Sequence, residues 1–210
     1  MQEPVVIAIL GAECTGKSTL AAALVAALVH AGIDATLVPE YLREFCAAHG
    51  RTPHADEQRD IAREQSARIW RAGQRHAVVV ADTTALMSAI YSELCFGDPG
   101  LYADAWLSQR ACRLHLLTGL DVPWMADGFQ RDGPAARERV DTHLRAVLLA
   151  QSLPFSVLPG AAAGRVDAAL RGVRRVLAPA PPVTPAEHWR WICHHGGDGA
   201  CEAATRALSR

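Results

Sequence analysis

A glycine loop between a buried strand and an alanine-rich helix constrains this chain more than any other segment. Gly11-Ala12-Glu13-Cys14-Thr15-Gly16-Lys17-Ser18-Thr19 fits the pattern G-x-x-x-x-G-K-[ST] without a mismatch. Before it, Val5-Val6-Ile7-Ala8-Ile9-Leu10 is a continuous apolar run, as expected of a strand covered on both faces. After it, residues 20–28 are rich in good helix formers. Strand, loop and helix in that order make a phosphate-binding loop. Gly11 and Gly16 let the backbone turn and approach a ligand closely. Successive N–H groups then point inward, and the helix N-terminus adds positive potential where phosphate charge sits. The loop residues Gly11, Glu13, Cys14, Thr15, Gly16, Lys17, Ser18 and Thr19 are the expected nucleotide site. Lys17 is expected to reach the outer phosphates, and the Ser18 hydroxyl to bind Mg²⁺. The chain is therefore expected to bind a nucleoside triphosphate, with ATP as co-substrate and Mg²⁺ as cofactor.

The rest of the sequence supplies a matching frame. Short apolar strands are predicted at 5–10, 35–38, 77–81, 114–117 and 155–158. Helices are predicted at about 17–31, 41–50, 56–75, 84–96, 103–112, 135–150 and 164–177. Strands separated by helices, with no hairpin signal, predict an α/β fold of the P-loop NTPase and kinase type. It would be a five-stranded parallel sheet with helices on both faces. Residues 121–134, with two glycines and two prolines, read as a lid loop. Ligands of such sheets bind at the carboxyl ends of the strands. Glu40 after the second strand, Asp82 after the third and residues 118–124 after the fourth would therefore gather beside the phosphate loop.

Residues 178–185 carry four prolines and read as a stiff linker between a domain at 1–177 and a small extension at 186–210. The extension holds Cys193, His194, His195 and Cys201. Their spacing departs from standard zinc motifs, so either a zinc site or docking through Trp189 and Trp191 fits. With 210 residues the chain can bury a full core. A formal net charge of −1 gives no basic excess for nucleic acid. No apolar run approaches the roughly 20 residues of a membrane span. The chain enters its first strand at residue 5, which leaves no room for a signal peptide, and its six cysteines are scattered. A cytoplasmic protein with reduced thiols, acting on small molecules, is the expectation. Oligomeric state is left open.

Four further elements accompany the loop. They are Glu40-Tyr41-Leu42-Arg43-Glu44, Asp82-Thr83, Pro123-Trp124-Met125-Ala126-Asp127-Gly128, and an arginine-bearing segment from Arg131 to Arg139. In this order, with G-A-E-C-T-G-K-S-T in front, they resemble the ribosylnicotinamide kinase domain of the bacterial NadR type. The resemblance covers about residues 4–177. Cys14 stands where that family commonly has Ser, a side chain not needed for a backbone cradle. The chain shows no H-x-G-H nucleotidyltransferase signature, so the resemblance implies the kinase step alone. Nicotinamide riboside and ATP would give nicotinamide mononucleotide and ADP. A kinase for another nucleoside or small metabolite, or a regulatory ATPase, are the alternatives.

Phosphoryl transfer needs in-line positioning and charge neutralisation more than covalent help. Asp82 is placed to hold Mg²⁺ with Ser18, or to cap the helix that follows. Glu40 is the candidate general base or sugar-hydroxyl anchor. Tyr41 belongs to the same element. Arg43 would orient Glu40 or hold substrate, or else pair with Glu44. Trp124 offers a ring face to a cationic nicotinamide, or plugs the base of the lid. Asp127 would bind a ribose hydroxyl or a positive group. Among Arg131, Arg137 and Arg139, Arg131 is the choice for a mobile catalytic arginine because it lies furthest from the helix body. Lys17, Glu40, Asp82 and Arg131 thus form the expected catalytic set.

Overall fold

A computed structural model describes residues 3–124, 133–160 and 162–178. Five strands, β1 (Val5–Leu10), β2 (Ala35–Val38), β3 (Val78–Asp82), β4 (Leu114–Thr118) and β5 (Ser156–Leu158), form one sheet in the order β2-β3-β1-β4-β5. Every pairing is parallel. The helices are α1 (Lys17–His30), α2 (Tyr41–His49), α3 (Gln58–Gly73), α4 (Ala85–Phe96), α5 (Tyr102–Arg110), α6 (Pro134–Ala150) and α7 (Ala162–Leu177).

The alternation of side chains along β1 explains both layers. Val6, Ala8 and Leu10 point to one face and pack with Leu86 and Ile90 of α4 and with Leu144 and Leu148 of α6. Ile7 and Ile9 point to the other and meet Leu20, Leu24 and Leu28 of α1 and Val173 of α7. A strand that feeds two cores must be apolar throughout, which is what the run at 5–10 shows. Leu24 and Leu144 are both wholly buried, and each contributes about 1.5–3 kcal/mol of transfer free energy.

Most predicted elements lie within two residues of the observed ones. The long helix at 56–75 also meets this, but its start differs in kind. It is divided into a 3₁₀ turn, Ala55–Glu57, and α3, which starts at Gln58. The Glu57 carboxylate accepts from the backbone N–H of His54 at 2.7 Å and from Arg51 at 2.6 and 2.7 Å. The side-chain hydrogen bond from Arg51, with that backbone N–H, holds its pKa down to about 2. That turn-capping arrangement tightens the chain before the α-helix begins.

The loops after β1 and β3, neighbouring strands, leave in opposite directions, towards β2 and β4. Such a point opens a crevice at the carboxyl edge of the sheet. No helix among the described residues is long and apolar enough to cross a membrane. The chain divides after Ala178. The predicted linker and extension, with Cys193, His194, His195 and Cys201, lie outside the described residues, as does most of the lid loop with Asp127 and Arg131.

Candidate active site

The phosphate loop fills the turn between β1 and α1. Its conformation needs left-handed residues, with φ of 148° at Gly11, 56° at Cys14 and 80° at Gly16. Gly11 is also required by space. A Cβ there would lie 2.2 Å from the Thr118 Oγ1, far inside contact distance. Thr118 ends β4 and donates its hydroxyl towards Thr15 Oγ1 at 2.7 Å, while Thr15 donates to the Ala12 carbonyl at 2.8 Å. Lys17 is 6 % exposed, and its ammonium group curls back to donate to that same carbonyl at 2.8 Å. The loop is thus preformed from within, with a buried cation at its centre.

Arg165, in the first turns of α7, holds the loop from behind. Its guanidinium is 3 % exposed and donates to the Thr15 carbonyl, to the Gly119 carbonyl at 3.1 Å and to Asp121 Oδ1 at 3.1 Å. Asp121 in turn accepts from the Gly160 N–H, and that bond, ahead of its ion pair with Arg165, lowers its pKa. Arg165 carries no signal in the sequence, because no local pattern joins it to a loop 150 residues away. Arg165→Leu is expected to strip two buried carbonyls of their donor and to cost at least about 2 kcal/mol of stability, with weaker ATP binding. Denaturant unfolding and ATP titration check both. Wild-type stability with unchanged ATP affinity would show the guanidinium to be dispensable.

Asp82 ends β3 opposite Ile9 of β1, which brings its carboxylate to the mouth of the loop. It is 3 % exposed. Burial raises its pKa, opposed first by a hydrogen bond from Ser18; the charge of Glu40 raises it further, while Lys17 and Arg43 lower it. Asp82 Oδ1 has no hydrogen-bond partner among the described residues. A hydroxyl and a carboxylate in contact, with one buried oxygen unmatched, are donors suited to a hard divalent cation. The two readings of Asp82 part here, because Thr84 and not Asp82 caps α4, its Oγ1 accepting from the Leu86 N–H.

A cleft of about 470 Å³ opens beside the loop. Glu13 and Lys17 of the loop line it, together with Glu40 and Arg43 at the start of α2. Arg43 Nη2 donates to Glu40 Oε2 at 3.3 Å, so Arg43 turns to Glu40. Glu44 pairs with Arg68 instead. The backbone N–H of Tyr41 donates to Gln65 of α3 at 2.8 Å, which fixes where α2 begins. From α4 comes Tyr91, whose hydroxyl donates to Glu13 Oε2 at 3.3 Å. Burial pushes the Tyr91 phenol well above its ordinary range, which keeps it a donor. Gln58, the first residue of α3, closes the wall. A smaller cavity of about 190 Å³ between α3 and α5 carries none of these residues.

The three arginines around the lid separate. Arg131 lies outside the described residues. Arg137 is buried and donates to the Leu120 and Val122 carbonyls at 2.7 and 2.8 Å, tying the segment after β4 to α6. Arg139, two residues on, lines the cleft. Trp124 is half-buried; among the described residues its indole Nε1 has no hydrogen-bond partner, and Trp124 is not one of those lining the cleft.

The sequence profile of a family described as AAA domain matches residues 6–165. A search of curated proteins finds no match. Among solved structures, NadR protein in complex with NAD and AMP-PNP superposes with a TM-score of 0.65 and 18 % identity, over 86 % of this chain and 52 % of that one. NadR protein in complex with NR superposes with a TM-score of 0.65 and 20 % identity, over 86 % of this chain and 54 % of that one. This chain spans about half the length of the solved proteins it matches. The likeness is one of fold: an all-parallel five-stranded sheet of the P-loop kinase type.

Proposed function

This chain belongs to the AAA domain family, and we propose that within it the protein is an ATP-dependent kinase for a nucleoside 5′-hydroxyl, with nicotinamide riboside the preferred acceptor. One observation carries the reading. The cleft is lined by Lys17 of the phosphate loop and by a buried carboxylate, Glu40 at 8 % exposure. A site built only to hydrolyse ATP needs room for water at that point. Here there is volume for a small organic acceptor next to the outer phosphates. The solved complexes of NadR protein with NR and with AMP-PNP support the choice of acceptor and donor.

In this reading the 5′-oxygen of the acceptor forms a bond to the γ-phosphorus. The bond from that phosphorus to the β–γ bridging oxygen breaks, and ADP leaves. Glu40 takes the hydroxyl proton, with Arg43 fixing its orientation. Lys17 neutralises charge on the outer phosphates, and Arg139 approaches them from α6. Ser18 and Asp82 would hold Mg²⁺, which supplies positive charge to the phosphate oxygens. Trp124 and Asp127 are proposed to contact the acceptor, and the extension after residue 185 to lie outside the kinase domain.

An ADP-release assay across a panel of nucleosides tests the acceptor. Stimulation by nicotinamide riboside supports the proposal. Turnover that no nucleoside raises would leave an ATPase. Glu40→Gln probes the base. Bonding to the nucleophile is slight in a loose transition state, so the loss is expected near the low end for general bases, about 10²-fold in kcat. ATP affinity should hardly move. An equal loss in both would place Glu40 in the nucleotide site.

A further inference from the structure

The β2–β3 ladder ends at Val38 and Ala81; Glu40 stands two residues beyond it and Asp82 one. There the two strand ends are joined by a side chain from α3. Gln65 is 2 % exposed; its Oε1 accepts from the Tyr41 N–H at 2.8 Å and its Nε2 donates to the Thr83 carbonyl at 3.3 Å. Those partners fix which end of the amide is which, because only the oxygen serves an N–H and only the nitrogen a carbonyl. Tyr41 directly follows Glu40, and Thr83 directly follows Asp82. One amide therefore spans the carboxylate proposed as base and the carboxylate proposed to hold Mg²⁺. Its neighbours on that face of α3, Ile61, Ala62, Ile69 and Ala72, are apolar, so packing alone asks for an apolar side chain at position 65.

Each end of this bridge bears on a group whose place matters. Glu40 occupies the N-cap of α2 without a capping hydrogen bond from its side chain. Gln65 serves the first N–H of the helix instead, and the Glu40 carboxylate is left to pair with Arg43. Thr83 has φ 73°, a left-handed conformation that a β-branched residue keeps only when its surroundings impose it. Its N–H donates to the Ile9 carbonyl at 3.0 Å and its carbonyl accepts from Gln65, which pins the chain just after Asp82. The charge of Glu40 raises the Asp82 pKa, so the two carboxylates repel when both are ionised. A neutral amide tied to both backbones resists that repulsion without adding charge. We infer that Gln65 is a positioning residue for phosphoryl transfer, a buried rung that sets the separation of Glu40 from Asp82 and hence of the acceptor hydroxyl from the transferred phosphate. The inference rests on the kinase reading and adds to it a residue that acts through the two carboxylates.

Loss of the rung releases the Glu40 end. β3 lies between β2 and β1, and Thr83 keeps its bond to Ile9, whereas β2 is the edge strand. The test is a double-mutant cycle of Gln65 and Glu40, read as nucleoside-stimulated kcat from ADP release well below the melting temperature of each variant. In Gln65→Leu, kcat is expected to fall about tenfold or more, because small misplacements of reacting groups are costly, while the KM for ATP stays within about threefold. In the Glu40→Gln background the same substitution should cost less than about threefold, since the base whose place it sets is already gone. Gln65→Leu leaves an N–H and a carbonyl without their partner and should melt below wild type. Gln65→Asn keeps the amide on a stem one methylene shorter, so it reaches one strand end and not both; the same cycle is run on it should leucine not fold. Equal losses in the two backgrounds, or a kcat that holds while the melting temperature falls, would make Gln65 a residue of the fold alone. Either result overturns the assignment and leaves the kinase reading standing. If no nucleoside raises ADP release from wild type, the kinase reading itself falls, and the assignment with it.

Discussion

Lys17→Ala is expected to fold and to lose phosphoryl transfer by about 10³-fold or more. A preorganised donor aimed at developing charge is worth a few kcal/mol in a water-poor site, and a buried full charge exceeds a neutral one. The fold should tolerate the change. Among the described residues the Lys17 side chain makes one hydrogen bond, to the Ala12 carbonyl, and Thr15 keeps a donor on that same oxygen. The electrostatic consequence is wider than one contact. Lys17 lowers the Asp82 pKa while Glu40 raises it, so removing the cation leaves two neighbouring carboxylates without its compensation. ATP titration and ADP release on the folded variant, with its unfolding curve, decide the matter. Near wild-type turnover would move the chemistry away from the loop.

The loop, the strands and the layer pattern were legible because each is local. Six apolar residues before G-x-x-x-x-G-K-S-T announce a strand buried on both faces, and β1 sits mid-sheet between β3 and β4. Strand order was not legible, because a parallel sheet connects its strands through helices of similar length whichever neighbour they reach. The 3₁₀ turn before Gln58 was missed for a related reason. Its cause is the reach of Arg51 to Glu57, which helical periodicity does not show.

The site divides along the same line. Asp82 and Glu40 were found because strand ends of a parallel sheet share one edge. Residues that act from a distance in sequence gave no signal. Arg165 comes from the last described helix, and Thr118 reaches Thr15 across 103 residues. Arg137 and Arg139 looked alike as charges near a lid. Two residues apart on a helix, they face different ways, and one serves the backbone while the other lines the cleft.

Asp82→Asn is expected to move activity and stability in opposite directions. Turnover should fall by about 10³-fold, since an amide is a poor ligand for Mg²⁺ and supplies no negative charge to hold it. The unliganded protein should become more stable. Burial raises the Asp82 pKa above its ordinary 3.8, so the unfolded chain gives up this proton at lower pH than the folded chain does. Below 3.8 both states are protonated and the residue costs nothing. As pH rises through 3.8 towards the raised value, the unfolded state is favoured, and the penalty persists at neutral pH. An asparagine keeps the shape, retains an oxygen for Ser18 and carries no charge to desolvate. Its melting temperature at pH 7 should therefore exceed that of wild type, with the gap closing towards pH 4. Adding ATP and Mg²⁺ should stabilise wild type more than the variant, because only the carboxylate gains a partner worth its burial. A variant that melts below wild type at neutral pH, with no such reversal, would mean that Asp82 serves the fold and that the cation is held elsewhere.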